Sequence, residues 1–174
     1  MEKSNMNEFE KLPQFKQGKD VEKYLDNFFQ QRGFSIRQTT PEEERILCLG
    51  DRQFSRNGKS FFVEYKSGIQ THYTKNIFIE TISVDDPVYF KKGWAYTCRA
   101  DWLIYATVLD NCLLIFRPDI LRKRIENLKI NFREVSTSNH QNKDYNTHGL
   151  LIPFEWAKEN LASQVISICG KKIR

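Results

Sequence analysis

The sequence predicts an α/β or α+β protein with one central mixed sheet, and three observations support this class. An amphipathic helix is predicted from Asp20 to about Gly33, because apolar residues recur there at three- and four-residue spacing. Runs of strand length follow, and two of them are joined by Asn57-Gly58, a dipeptide typical of hairpin turns. More strands and helices come later, so we expect helices to flank a sheet that begins with an antiparallel meander.

The elements after the first helix are assigned from runs of apolar residues and the turn signals between them. Strands are expected at Phe34 to Gln38, Ile46 to Gln53, Ser60 to Lys66, Ile77 to Ser83, Asp101 to Val108 and Cys112 to Phe116. Pro118 and Asp119 begin a helix that extends to about Asn127, because proline fits the first helical turn.

The end of the chain is expected to contain less regular structure. The segment from Ser136 to His148 is rich in polar residues and predicts an exposed loop. A last strand is expected at Leu150 to Phe154, followed by a short helix at Glu155 to Ser163.

One domain is expected over residues 20 to 174, preceded by a loosely held arm over residues 1 to 19. The chain has 174 residues, of which 40% are hydrophobic, and this is a usual size for one domain with its own core. The arm is polar, contains Pro13 and Gly18, and shows little periodicity. No run approaches the roughly 20 apolar residues of a membrane helix, and the N-terminus lacks a signal-peptide core. We therefore expect a cytoplasmic protein with no membrane partner.

Composition narrows the functional classes. The net charge of +5 suits a polyanionic partner without requiring one. The four cysteines and three histidines show no zinc-ligand spacing, which favours a reduced protein with structural cysteines. No dinucleotide-binding glycine motif, phosphate-binding loop or GxSxG nucleophile motif is present.

Three charged residues around the Asn57-Gly58 turn predict a catalytic centre. Glu64 and Lys66 share one face of the predicted third strand, because side chains two apart on a strand point the same way. Asp51 lies across the hairpin from them. Two carboxylates beside an ammonium group are suited to holding Mg²⁺ and hydrolysing a phosphodiester. The simpler interpretation is an amphipathic strand with an exposed charge pair and Asp51 as a turn residue.

With these residues in the order GDRQF and FFVEYKS, the chain resembles the PD-(D/E)xK nuclease superfamily, over roughly Asp20 to Phe116. Gly50 stands where that pattern has proline. Gly93-Trp94 and Ala100-Asp101-Trp102 are similar to segments of uncharacterised phage- and plasmid-type members.

The resemblance implies a restriction endonuclease-like core and a Mg²⁺- or Mn²⁺-dependent deoxyribonuclease, expected to be an endonuclease. Asp51, Glu64 and the backbone carbonyl of Tyr65 would be the metal ligands, and Lys66 would position the attacking water or offset negative charge. RNA is not excluded as substrate. Cleavage would be directed by the structure of the DNA, or a homodimer or a partner protein would supply specificity.

Other residues are candidates for supporting roles. Glu22 lies in the first helix, where resolvase-like members of the superfamily place a further acidic residue; the alternative is a solvated surface charge. Glu80 lies among apolar neighbours, which indicates either a site-facing role or an edge-strand charge. Basic residues near predicted strand ends and loops are candidate contacts to nucleic-acid phosphates: Arg52, Arg56, Lys59, Lys75, Lys91, Lys92 and Arg99.

The alternative function belongs to a different class. A non-catalytic module for binding nucleic acid or protein could retain the nuclease fold while its charges serve stability. Metal binding by Asp51 and Glu64 would discriminate between the two.

Overall fold

The computed structural model describes residues 18–68, 71–107, 112–139 and 145–168. Residues 1 to 17 of the predicted arm lie outside the described residues. The same is true of Val108, the predicted end of a strand. The α-helices are α1 (Gly18–Gln30), α2 (Thr71–Thr74), α3 (Trp94–Thr97), α4 (Pro118–Asn131) and α5 (Phe154–Asn160), and Glu42–Ile46 forms a π-helix. None of these helices has the length and apolar composition needed to span a lipid bilayer.

In the described residues, ten strands form two sheets. The strands are β1 (Ser35–Gln38), β2 (Arg52–Arg56), β3 (Lys59–Ser67), β4 (Asn76–Asp85), β5 (Phe90–Lys92), β6 (Trp102–Thr107), β7 (Cys112–Phe116), β8 (Glu134–Asn139), β9 (Tyr145–Pro153) and β10 (Gln164–Ser167). A six-stranded sheet has the order β1-β2-β3-β6-β7-β10, in which β3 and β6 are parallel and the other pairs antiparallel. A four-stranded antiparallel sheet has the order β5-β4-β9-β8. The predicted mixed α+β class is confirmed, and the second sheet is an addition to the prediction.

The antiparallel meander at the start of the chain follows the prediction. Arg56 pairs with Lys59 across the turn between β2 and β3. Asn57 and Gly58 have positive φ angles of 51° and 72°, as a two-residue hairpin turn requires. Helix α1 and strand β7 also form where they are expected.

The two faces of the six-stranded sheet pack against different partners. Helix α1 covers one face, where Leu25 and Phe29 pack in a core that includes Val63 and Tyr65 of β3. On the other face, a second core joins β6 and β7 to α4 and the four-stranded sheet. Glu64 and Lys66 alternate with Val63 and Tyr65, so they point toward this second side, away from α1.

The predicted strand from Ile46 to Gln53 is wrong at every position before Arg52. Thr40 and Glu43 instead form a capping box: the Thr40 N–H donates to Glu43 Oε2 at 2.8 Å, and the Glu43 N–H donates to Thr40 Oγ1 at 3.2 Å. This pair initiates the π-helix and leaves Ile46 75% exposed. The strand itself begins at Arg52, directly after Asp51.

The predicted loop from Ser136 to His148 is also wrong where the structure describes it. Strands β8 and β9 pair in this region, with Thr137 opposite Thr147. The polar composition is compatible with a strand because β8 lies at the edge of its sheet and has one solvated face. Thr147 is buried, and its hydroxyl donates to the carbonyl oxygen of Ser83 at 3.0 Å.

Candidate active site

Asp51 is held against strand β3 by two hydrogen bonds. Its backbone N–H donates to the Val63 carbonyl at 2.9 Å, which extends the β2–β3 ladder by one residue. Its carboxylate oxygen Oδ2 accepts from the Tyr65 N–H at 2.7 Å. The carboxylate therefore sits beside the backbone of the segment that carries Glu64 and Lys66.

Gly50 makes this close approach possible. Its φ of +97° is a conformation that residues with a Cβ rarely adopt. A Cβ there would also lie 2.6 Å from the Val63 carbonyl oxygen. Proline, which fixes φ near −65°, is incompatible with this backbone, and the departure from the Pro-Asp pattern has a structural reason.

Glu64 and Lys66 form an ion pair on the face of β3 that points away from α1. Lys66 Nζ lies 2.5 Å from Glu64 Oε1. The Glu64 side chain is 14% exposed and that of Lys66 is 31% exposed, so the pair is mostly shielded but accessible from one side. The predicted common orientation of the two side chains is thus observed.

Glu80 reaches the same place from strand β4 of the second sheet. Its Oε1 accepts from the Trp94 N–H at 3.3 Å, at the start of α3. A Cβ at Gly93 would collide with the backbone carbonyl of Glu80, so glycine allows α3 to pack directly on this strand. Of the two interpretations of Glu80, the geometry favours the site-facing one.

These side chains line a polar cavity of about 490 Å³. The floor carries Asp51, Glu64, Lys66 and Glu80. The remaining lining comes mainly from the π-helix, β5 and α3, through Glu44, Arg45, Cys48, Gly50, Ser83, Lys91, Lys92, Trp94, Thr97 and Cys98. Acidic groups and basic groups are therefore both concentrated in one concave surface.

The electrostatics keep Lys66 charged. Burial lowers the pKa of Lys66, but the surrounding carboxylates raise it by more, and the net shift of the pKa is upward. These carboxylates belong to Glu64, Asp51 and Glu80. Lys66 is accordingly a cation and a hydrogen-bond donor at neutral pH, and not a base.

The pKa values of Glu64 and Glu80 are raised as well, which means that their charged forms are disfavoured in the folded protein. Burial raises the pKa of Glu64, Lys66 lowers it, and the charge of Asp51 raises it again, with a net upward shift. Burial also raises the pKa of Glu80, against the opposing effect of Lys66. An additional positive charge in the cavity would relieve this crowding of carboxylates.

Cys98 also lines the cavity. Burial, together with the charge of Glu64, raises the pKa of its thiol to about 12. The thiol is therefore protonated at neutral pH. The charged groups of the cavity are therefore its carboxylates and its cationic side chains.

The donor set suits a magnesium ion coordinated by few protein ligands. No group of three or more histidine, cysteine or acidic side chains in the described residues is arranged to hold a metal. Mg²⁺, however, usually binds through one or two carboxylates and completes its shell with water and substrate phosphate. Asp51 and Glu64 provide two such carboxylates. The Tyr65 carbonyl points to the same strand edge as its N–H, which contacts Asp51.

Glu22 and Arg52 lie on the opposite face of the sheet from this cavity. Arg52 is 6% exposed and packs under α1. Its guanidinium contacts Glu22 Oε2 at 2.9 Å and Asp26 Oδ2 at 3.0 Å. Buried in this ion pair, Arg52 presents no donor to a phosphate, and Glu22 presents no carboxylate to the cavity.

The other basic candidates divide into two groups. Arg56, Lys59, Lys75 and Arg99 do not line the cavity. Arg56 instead lies over the Phe34 ring, 5.1 Å from its centroid. Lys91 and Lys92 do line it. Glu44 and Arg45 were missed as site residues, although the Thr40-x-x-Glu43 capping box indicated the helix that carries them.

No protein-family model matches the chain, and no curated protein matches it. Among solved structures, the chain is similar to a bacterial homing endonuclease, I-Ssp6803I, with 14% sequence identity and a TM-score of 0.42. The match covers 71% of this chain and 80% of that chain.

Proposed function

We propose that the protein is a metal-dependent nuclease that hydrolyses phosphodiester bonds in DNA. The proposal is supported above all by one observation: Asp51, Glu64 and Lys66 meet on the floor of a single polar cavity. Carboxylates and a lysine ammonium in one accessible concave site are the groups that phosphodiester hydrolysis uses.

Asp51, Glu64 and the Tyr65 carbonyl would hold Mg²⁺ or Mn²⁺, with Glu80 as a supporting carboxylate. When bound, the cation supplies Lewis acidity toward water and toward a phosphate oxygen. The Asp51 carboxylate is already fixed by the Tyr65 N–H, so its orientation is set before metal or substrate arrives. The crowding that raises the pKa of Glu64 would be relieved by the incoming charge.

Lys66 would stabilise the negative charge that develops on the phosphate and orient the attacking water. Its raised pKa keeps it protonated, so it acts as a hydrogen-bond donor. Hydrolysis joins the water oxygen to phosphorus, breaks one ester P–O bond and, overall, moves one water proton to the leaving oxygen. The ion pair with Glu64 holds the ammonium where this charge would form.

The basic residues at the cavity rim would bind the DNA backbone. Arg45, Lys91 and Lys92 line the same cavity as the carboxylates, and cationic side chains at such a rim position phosphates without reading sequence. Sequence preference would come from a dimer or from a partner protein.

The test is cleavage of supercoiled, linear and branched DNA, and of RNA, by the wild type beside Lys66→Ala and Glu64→Gln. With Mg²⁺ or Mn²⁺ we expect cleavage by the wild type and a loss of about 100-fold or more in each variant. Lys59→Ala is the matched control, because Lys59 lies on the same strand but outside the cavity, and should cleave normally.

A second measurement is independent of activity. Thermal unfolding with and without Mg²⁺ should show stabilisation of the wild type, by about 2.7 kcal/mol when Mg²⁺ is at 100 times its Kd. Glu64→Gln should lose most of this shift. DNA binding without cleavage and without a metal-dependent shift would instead establish a non-catalytic nucleic-acid-binding module.

A further inference from the structure

The β4–β5 hairpin presents three consecutive exposed apolar side chains. Val88 is 93% exposed, and Tyr89 and Phe90 are each 57% exposed. Exposed large apolar residues that stand in a row, and not singly, are typical of contact surfaces. An aromatic pair at a loop tip is therefore a feature that folding alone does not explain.

Hydrogen bonds to Asp86 stabilise the hairpin tip. Asp86 Oδ1 accepts from the N–H groups of both Val88 and Tyr89, at 2.7 Å each. Strand pairing of Asp85 with Phe90 closes the turn. The two acidic side chains at its base are engaged, since Asp85 Oδ2 lies 2.8 Å from His148 Nε2 and Asp86 caps the turn. The apolar side chains are thus presented outward on a pre-organised support.

The tip adjoins the proposed catalytic cavity. Lys91 and Lys92 line that cavity and directly follow Phe90 in strand β5. Tyr89 lies two residues before Lys91, a span of at most about 7 Å for an extended chain. A backbone phosphate held by Lys91 would place the neighbouring bases within reach of the tip.

We infer that the Val88–Phe90 tip contacts the bases of DNA beside the phosphate that is cleaved, with Tyr89 and Phe90 stacking on unpaired or readily unstacked bases. This inference rests on the proposed nuclease function. Aromatic rings stack on every base type, and apolar side chains wedge between base steps, so such a tip selects distorted or single-stranded DNA and not a sequence. The adjoining lysines match the charge of the DNA backbone.

The substitutions Tyr89→Ser and Phe90→Ser test the inference in the full chain. Ile130→Ser is the matched control, because Ile130 is 83% exposed on α4 and lies outside the cavity. Kd values come from fluorescence anisotropy of labelled single-stranded and mismatch-containing DNA in chelator, and kcat and KM from cleavage in Mg²⁺. Each tip variant should raise Kd and KM about tenfold, with kcat unchanged, and Ile130→Ser should change neither.

Unchanged Kd and KM in both tip variants would overturn the inference and leave the nuclease proposal standing. A wild type that binds DNA without cleaving it would remove the nuclease proposal, and the Kd values would still decide the role of the tip. A wild type that neither binds nor cleaves DNA would overturn both. Tip variants that bind DNA normally but change from dimer to monomer in sedimentation would assign the tip to a protein interface instead.

Discussion

Two clusters of charged residues lie on opposite faces of the same sheet, and they differ in how completely the protein satisfies them. Under α1, the Arg52 guanidinium contacts both carboxylate oxygens of Asp26, Glu22 and the Asp51 carbonyl, at distances of 2.9 to 3.1 Å. On the other face, Lys66 pairs with Glu64 and also faces Asp51 and Glu80.

The comparison shows how a structural cluster differs from a candidate functional one. The Arg52 cluster is covered by α1, and its guanidinium donates to two carboxylates and a backbone carbonyl. The Lys66 cluster has one ammonium group among three carboxylates and opens to a polar cavity. The protein satisfies the charges of the first cluster by itself, whereas the second, under the proposed function, would be stabilised by an added cation.

The largest expected effect is on the free energy of unfolding, which should fall when a carboxylate is removed from the Arg52 cluster but not when one is removed from the Lys66 cluster. Asp26→Asn breaks a buried ion pair and weakens the Tyr65 hydroxyl contact to Asp26 at 3.0 Å, and it should lower the free energy of unfolding by about 3 kcal/mol. Glu80→Gln removes one of the crowded carboxylates and should leave stability unchanged or raise it by up to about 1 kcal/mol in metal-free buffer. Urea denaturation followed by circular dichroism measures both values.

The same two variants also test which of the two clusters has the structural role. If Asp26→Asn were harmless and Glu80→Gln strongly destabilising, the roles assigned to the two clusters would be reversed. Adding Mg²⁺ sharpens the result, because Asp26→Asn retains the cavity and should still be stabilised by the metal.

A smaller effect on stability is expected at Gly50, which directly precedes Asp51 of one cluster, itself followed by Arg52 of the other. Gly50→Ala forces a Cβ against the Val63 carbonyl at φ +97°, and it should cost about 2 kcal/mol in stability and displace the Asp51 carboxylate. Gly58→Ala is the matched control: φ is +72° and no atom lies within 4 Å of the new Cβ, so only the backbone cost of about 1 kcal/mol remains.

The two glycine variants should also differ in catalysis. Cleavage should fall in Gly50→Ala and persist in Gly58→Ala, when both are assayed at a temperature where they are folded. Equal activities in the two variants would show that the position of Asp51 is not decisive.

Sequence reasoning succeeded where the determining interactions are local. The Asn57-Gly58 turn fixes the register of β2 against β3, and strand alternation then orients Glu64 and Lys66 together. The convergence of Asp51 with this pair follows from the same short hairpin. These features required no knowledge of distant packing.

The remaining features depend on tertiary contacts or on a competing local signal. Arg52 was predicted to contact DNA phosphates from its place near a strand end, but it is buried under α1. The sequence could not show this, because alternation alone does not reveal which face of β2 a helix will cover. The position of Glu80 depends on how the second sheet packs against the first. The apolar residues after Glu44 favoured a strand, but the capping box and Pro41 determined a helical turn.

The smallest expected effect lies in an exposed ion pair that holds this helical turn at the cavity rim. Hydrogen bonds from Arg37 and from the Thr40 backbone lower the pKa of Glu43 from 4.5 to about 2. A lowered pKa means that the ionised carboxylate stabilises the folded state above the ordinary pKa, and that this contribution is lost as the pH falls toward about 2.

Glu43→Gln should therefore flatten the decline of stability on acidification, with little change once Glu43 is protonated in both states. Urea midpoints measured across this pH range test it, and 1 M salt should weaken the effect because the pair is exposed and screened within about 3 Å. If Glu43→Gln leaves the acid slope unchanged, neither the Arg37 pair nor the hydrogen bond from the Thr40 N–H to the charged carboxylate contributes measurably to stability.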